Sequence, residues 1–251
     1  MQITARDERI FDWLRTVRLA DTDAIRWVLA ATDGRSEPVT MRRAQQWIAR
    51  GVEAELIEKA RPVFQDGAVV WLSRMLSDRA APNLFRATTR HEVAVASISA
   101  RFLAAGYAWT RDRQPRSRQE HAADGVAVRG EQVELVEVEL TSKTLDRYRL
   151  ILGDHARRLT EGVDRVVYIG TSGAMRTVDR EVAKWVHPAM RDRIVTIPAL
   201  DERGHVVSEL STLWNVDAAP VVDGKPTSPV LEAGSTPPPT SPTLPVWGGR
   251  D

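Results

Sequence analysis

The sequence predicts an α/β protein, α+β overall, in three parts. Residues 1–75 form an N-terminal segment of three helices and a hairpin, residues 84–216 a segment built on a mixed sheet, and residues 217–251 a flexible Pro-rich tail. Three observations support this division. Apolar residues recur at helical spacing through the first 56 positions. Further on, strands and helices alternate around Val133-Glu134-Leu135-Val136-Glu137-Val138-Glu139-Leu140. After Leu213-Trp214 prolines crowd the chain, culminating in Thr236-Pro237-Pro238-Pro239-Thr240.

In the first segment, Ile10, Phe11, Leu14 and Val17 define a helix over 6–20, and Asp21-Thr22-Asp23 caps a second over 24–31. After a turn at Asp33-Gly34-Arg35-Ser36-Glu37-Pro38, Thr40 caps a third helix from Met41 that turns Ala44, Trp47, Ile48, Val52 and Leu56 inward. Its outward positions are Arg42, Arg43, Gln45, Gln46 and Arg50. Arg61-Pro62-Val63-Phe64 and Ala68-Val69-Val70-Trp71-Leu72 flank Gln65-Asp66-Gly67, which predicts a hairpin closed by an Asp-Gly turn. Three helices followed by a hairpin is the order of a winged helix-turn-helix. Arginine and glutamine suit phosphates and purine edges, so the outward residues are the predicted contacts to double-stranded DNA; a merely solvated face is the alternative.

Residues 76–83 join the segments. A helix over 89–106 carries Val93, Val95, Ile98, Phe102 and Leu103 and ends at Gly106, and a short strand covers 107–110. The basic loop Arg111-Asp112-Arg113-Gln114-Pro115-Arg116-Ser117-Arg118 reads as a surface connector or a phosphate contact. Then follow strand 125–128, a turn at Arg129-Gly130-Glu131, strand 133–140, helix 145–159, strand 165–169, helix 178–185 and strand 193–197.

Composition restricts the function classes. With 43% hydrophobic and 27% charged residues the chain is an ordinary globular one. The absence of cysteine excludes disulfides and thiolate metal sites. No apolar run approaches the ~18 residues that span a bilayer, and the first residues lack a signal-peptide pattern, so a cytoplasmic protein without membrane contact is expected. A net charge of +1 leaves nucleic-acid binding open, because a balanced total can hide a basic patch. Lysine occurs only at Lys59, Lys143, Lys184 and Lys225, which sets off Lys143 beside the acids.

In an extended strand, Glu137, Glu139, Thr141 and Lys143 share one face, and Val136, Val138 and Leu140 the other. A solvated edge strand shows the same alternation. Acids held by arginines as a structural network are another reading. The functional alternative is a cation centre, because oxygen ligands on a hard divalent ion polarise a phosphodiester and activate water. Asp124 followed by Glu137-Val138-Glu139 resembles the PD-(D/E)XK nuclease motif, which pairs an acid on one strand with acid-x-lysine on the next. Two positions depart from it: Ala123 stands at the motif's proline and Glu139 at its lysine. Lys143 is the candidate replacement, although a straight strand would leave it roughly 13 Å beyond Glu139 at about 3.3 Å per residue.

The winged-helix order, His91-Glu92, Asp124-Gly125, the run from Val136 to Lys143 and Tyr148 together resemble the replication-relaxation protein family of plasmids and other mobile elements. The similarity covers about residues 6–200. It implies a winged helix coupled to a PD-(D/E)XK nuclease-like domain that assists DNA processing, replication or transfer. The implied catalytic residues are Asp124, Glu137, Glu139 and Lys143, with Asp124 and Glu137 as ligands of Mg²⁺ or Mn²⁺. An active metal-dependent endonuclease is one alternative, and an adaptor that never meets DNA another. Paired half-sites would allow a homodimer. His91 is read either as orienting Asp124 or Glu137 or as a cap or core group. His121 is a lone candidate ligand beside Asp124, and Thr171-Ser172-Gly173 only superficially resembles a phosphate-binding turn.

Overall fold

A computed structural model describes residues 2–117, 120–208 and 210. Arg118, Leu213-Trp214 and the Pro-rich tail with Val246-Trp247 lie outside the described residues. The described residues form seven helices and two sheets.

Helix α1 (Ala5–Val17) opens with a capping box. The Thr4 hydroxyl accepts from Asp7 N at 3.3 Å, and the Asp7 carboxylate accepts from Thr4 N at 3.0 Å. The other Asp7 oxygen accepts the Trp47 indole N–H at 2.8 Å, so one side chain both starts α1 and anchors it to a later helix. Burial works against the Asp7 charge, but these hydrogen bonds outweigh it and hold the carboxyl below the usual carboxylate range. Arg18, at φ 78°, ends α1 and turns the chain into the two-residue strand β1 (Ala20–Asp21). Asp21 then caps α2 (Thr22–Thr32) by accepting from Ala24 N at 2.7 Å. As expected, Thr40 caps α3 (Met41–Glu53), which buries Ala44, Trp47 and Ile48.

Ile10, Leu14, Ile25, Leu29 and Trp47 fill the core between these helices. At 1% exposure, Trp47 should cost about 3–5 kcal/mol when cut to alanine. Strands β2 (Ile57–Ala60) and β3 (Val69–Leu72) pair antiparallel from Ile57↔Leu72 to Ala60↔Val69, and β1 joins the far side of β3. The expected hairpin thus exists with a different first strand and a longer connection. Pro62 has no N–H to donate and restricts Arg61 before it, so residues 61–68 become the loop and the strand falls at Ile57–Ala60.

Helix α4 (Ala87–Ala104) serves both segments. Its Ala96 and Ala100 pack into the three-helix core, while Ala94, Val95, Ile98 and Phe102 pack under the second sheet. Small residues on the first face let the helices approach closely, and Trp13 seals the contact by donating to Ser99 Oγ at 3.0 Å. The described residues accordingly form one compact unit.

The second sheet runs β4-β5-β6-β7-β8. Strands β4 (Ala108–Thr110), β5 (Gly125–Arg129) and β6 (Gln132–Glu139) are antiparallel, whereas β7 (Arg165–Gly170) and β8 (Ile194–Pro198) run parallel to β6. Helix α5 (Leu145–Thr160) connects β6 to β7. Helices α6 (Ser172–Trp185) and α7 (Pro188–Arg191) connect β7 to β8. Helix α6 starts six residues before the expected 178, because Thr171 caps it and Ala174 and Met175 extend its buried stripe. Thr171-Ser172-Gly173 is therefore a helix start.

The acid-bearing strand is central. Val136, Val138 and Leu140 lie in the core beneath α4, and Leu135 lies in the core of Tyr148, Tyr168 and Met175 on the opposite face. Glu134, Glu137 and Glu139 are all buried, which rules out the solvated-edge reading.

Candidate functional site

Antiparallel pairing of Gly125 with Val136 carries the register of β5 and β6 on to Asp124 opposite Glu137. Asp124 Oδ2 accepts from Val138 N at 2.8 Å and lies 3.2 Å from His91 Nε2. The same imidazole nitrogen is 3.0 Å from the Val138 carbonyl, which can only accept, so Nε2 carries a proton. Burial opposes the charged imidazole, but Asp124 and that carbonyl raise the His91 pKa above its ordinary value. His91 thus orients Asp124, one of the two roles expected for it.

Lys143 also returns to the acids. Strand β6 stops at Glu139, the chain bends through Leu140 and Thr141, and the Lys143 ammonium pairs with Glu139 Oε1. The straight-strand separation therefore does not apply. The Lys143 backbone N–H donates to Tyr148 Oη at 3.2 Å, pinning the bend just before α5. Burial lowers the Lys143 pKa, and the fields of Glu137 and Asp124 counter that shift without cancelling it.

Glu137 makes a different set of contacts. His121, from the loop before β5, donates from Nε2 to Glu137 Oε1 at 2.8 Å, because its Nδ1 faces the donor-only Arg147 guanidinium at 3.4 Å. His155 on α5 brings its Nε2 to 3.2 Å from the same oxygen, outside hydrogen-bonding geometry, so this fully buried nitrogen has no hydrogen-bond partner. Its Nδ1 is tied to Tyr168 Oη at 2.9 Å, and Tyr168 is the β7 residue in register with Glu137. Burial disfavours the Glu137 charge, yet the two imidazoles overcome it and hold the carboxyl well below the usual carboxylate range. Burial also pushes the Tyr168 phenol well up, keeping it neutral.

One donor atom each from His121, Glu137 and His155 lies within 4.8 Å of the others, a group that could hold a metal ion. Asp124, the other ligand expected beside Glu137, is not in that set. His155 and Tyr168 escaped the sequence reading. The signal available for His155 was its place in the buried stripe Tyr148, Ile151, Leu152, His155, Leu159, where a polar residue needs an inward partner. Arginines hold other acids: Arg165 pairs with Glu134 at 2.8 Å and Arg158 with Asp112 at 2.9 Å. The arginine-network reading fits those pairs and not Glu137.

On α3, Arg42, Arg43, Gln45, Gln46 and Arg50 are all exposed, while Ala44, Trp47 and Ile48 are buried. Arg43 pairs with Asp33 at 2.9 Å, and Arg6 approaches the same carboxylate at 3.5 Å. Among the described residues no helix is long and apolar enough to cross a membrane. The chain matches no protein-family model, no curated protein and no solved structure.

Proposed function

We propose that the chain is a duplex-DNA-binding protein of a plasmid or other mobile element. In this proposal residues 1–75 act as a winged helix, and the nuclease-like segment assists DNA processing, replication or transfer. The exposed face of α3 carries the proposal: three exposed arginines and two exposed glutamines stand on a helix that is locked into the core by Ala44, Trp47 and Ile48. Such a face offers donor forks to phosphates and guanine and amides to adenine. Arg43 would exchange Asp33 for a phosphate. Fluorescence anisotropy with labelled duplex, titrated over salt, tests this directly. Arg42→Ala with Arg43→Ala should weaken binding and reduce the salt slope by about two, one for each lost phosphate contact. An unchanged slope would remove α3 from the interface, and no binding at low salt would favour a protein-protein adaptor.

A metal-dependent endonuclease is the second reading, favoured by the return of Lys143 to Glu139 next to Asp124 and Glu137. A relocated ammonium there could stabilise developing phosphate charge. Supercoiled plasmid incubated with Mg²⁺ or Mn²⁺ should then be nicked, and Asp124→Ala or Lys143→Ala should abolish nicking. Intact plasmid across both metals would defeat this reading and leave DNA binding standing.

A further inference from the structure

We infer that His121, Glu137 and His155 form a binding site for one divalent first-row transition ion, of the Zn²⁺ or Co²⁺ class, distinct from an all-oxygen Mg²⁺ site. The inference does not depend on DNA binding.

The donor set is two imidazole nitrogens and one carboxylate oxygen. Nitrogen ligands of this kind favour borderline transition ions, whereas Mg²⁺ prefers oxygen and water. The spacing is already near that of a bound site. Ligand atoms about 2.0–2.1 Å from a tetrahedral ion lie roughly 3.3–3.4 Å from one another. His121 Nε2 and His155 Nε2 stand 2.8 and 3.2 Å from Glu137 Oε1, and all three ligand atoms lie within 4.8 Å of one another, so side-chain shifts of at most about 1.5 Å reach the spacing of a bound site.

A second, independent observation points to a ligand. His155 Nε2 is fully buried, faces Glu137 and makes no hydrogen bond, a costly arrangement that coordination would relieve. Its other ring nitrogen is fixed by buried Tyr168, which supplies the outer contact that metal-binding histidines generally have. His121 would move its proton from Nε2 to Nδ1, displacing the exposed Arg147 guanidinium into solvent. Binding would thus need no rearrangement of the strands. Three protein ligands leave a coordination position for water.

The test is isothermal titration of tag-free, chelator-treated full-length protein with Zn²⁺, paralleled by the visible spectrum with Co²⁺. One ion should bind per chain, and Co²⁺ should give the intense bands of a four- or five-coordinate site. A large excess of Mg²⁺ should fail to compete. His121→Ala, in a loop, should lower Zn²⁺ affinity at least about tenfold. His155→Gln should do the same, with circular dichroism of each metal-free variant verifying its fold. Asp124→Asn should leave the affinity within about twofold. Absent binding, wild-type affinity in a folded His121→Ala, or an equal loss in Asp124→Asn would each overturn the assignment.

Discussion

Glu137→Gln removes one charge from the centre of the sheet with almost no change of shape. The carboxamide oxygen can still accept from His121 Nε2, so the bond at 2.8 Å becomes a neutral one in place of a charge-assisted one. Hydrogen bonds to charged groups contribute about 1.5–3 kcal/mol and neutral ones about 1 kcal/mol, which sets the loss at about 0.5–2 kcal/mol at pH 7. In a chain of this size that is a fall in Tm of about 1–8 °C. The pH dependence provides the sharper check. The Glu137 pKa is lower in the folded state than its unfolded value of about 4.5, so its contribution is present above that value and lost as pH falls through the folded pKa. Urea unfolding in chelator from pH 7 to pH 3 should therefore show the gap between wild type and variant constant down to about pH 5 and closing below. A variant at least as stable as wild type at pH 7, or a gap independent of pH, would refute the view that the two histidines stabilise a buried carboxylate.

Two further outcomes are expected. In Gly170→Ala the new methyl would stand 2.1 Å from the Glu139 carbonyl oxygen and 2.8 Å from Met175 Cε, so backbone must shift where β6 ends. Urea unfolding should show a loss of about 2–3 kcal/mol, the upper range for overpacking, and a change below 0.5 kcal/mol would contradict that contact. For His91, whose pKa is raised in the folded state, the stabilising pairing with Asp124 is fully present below its unfolded value near 6.5 and fades as pH rises through the higher folded pKa. Thermal unfolding from pH 6 to pH 9 should lose this dependence in His91→Gln; identical slopes for the two proteins would count against the pairing.

Local chemistry determined most of the elements. Asp21 and Thr40 announce the second and third helices because a short side-chain oxygen satisfies the first free N–H groups without help from the rest of the chain. Alternation placed Glu137 and Glu139 on one face of a strand for the same reason: side-chain direction in β structure follows from the backbone alone. The start of β2 was less legible, since residues 57–60 mix Ile and Ala with Glu and Lys and become a strand only by pairing with Val69–Leu72. The double duty of α4 was hidden too, because its small residues give no periodic signal strong enough to mark two buried faces.

The sequence by itself determined the caps of the second and third helices, the strand alternation, the outward Arg and Gln face of α3 and the presence of acids where an apolar strand should be uniform. Tertiary structure decided what those acids meet. His121, Glu137, His155 and Tyr168 are scattered over 48 positions, and only the packing of α5 across β6 and the parallel pairing of β6 with β7 bring them together. The bend after Glu139 likewise returns Lys143 to the sheet. Such contacts depend on how elements cross rather than on any local preference, and no spacing along the chain encodes them.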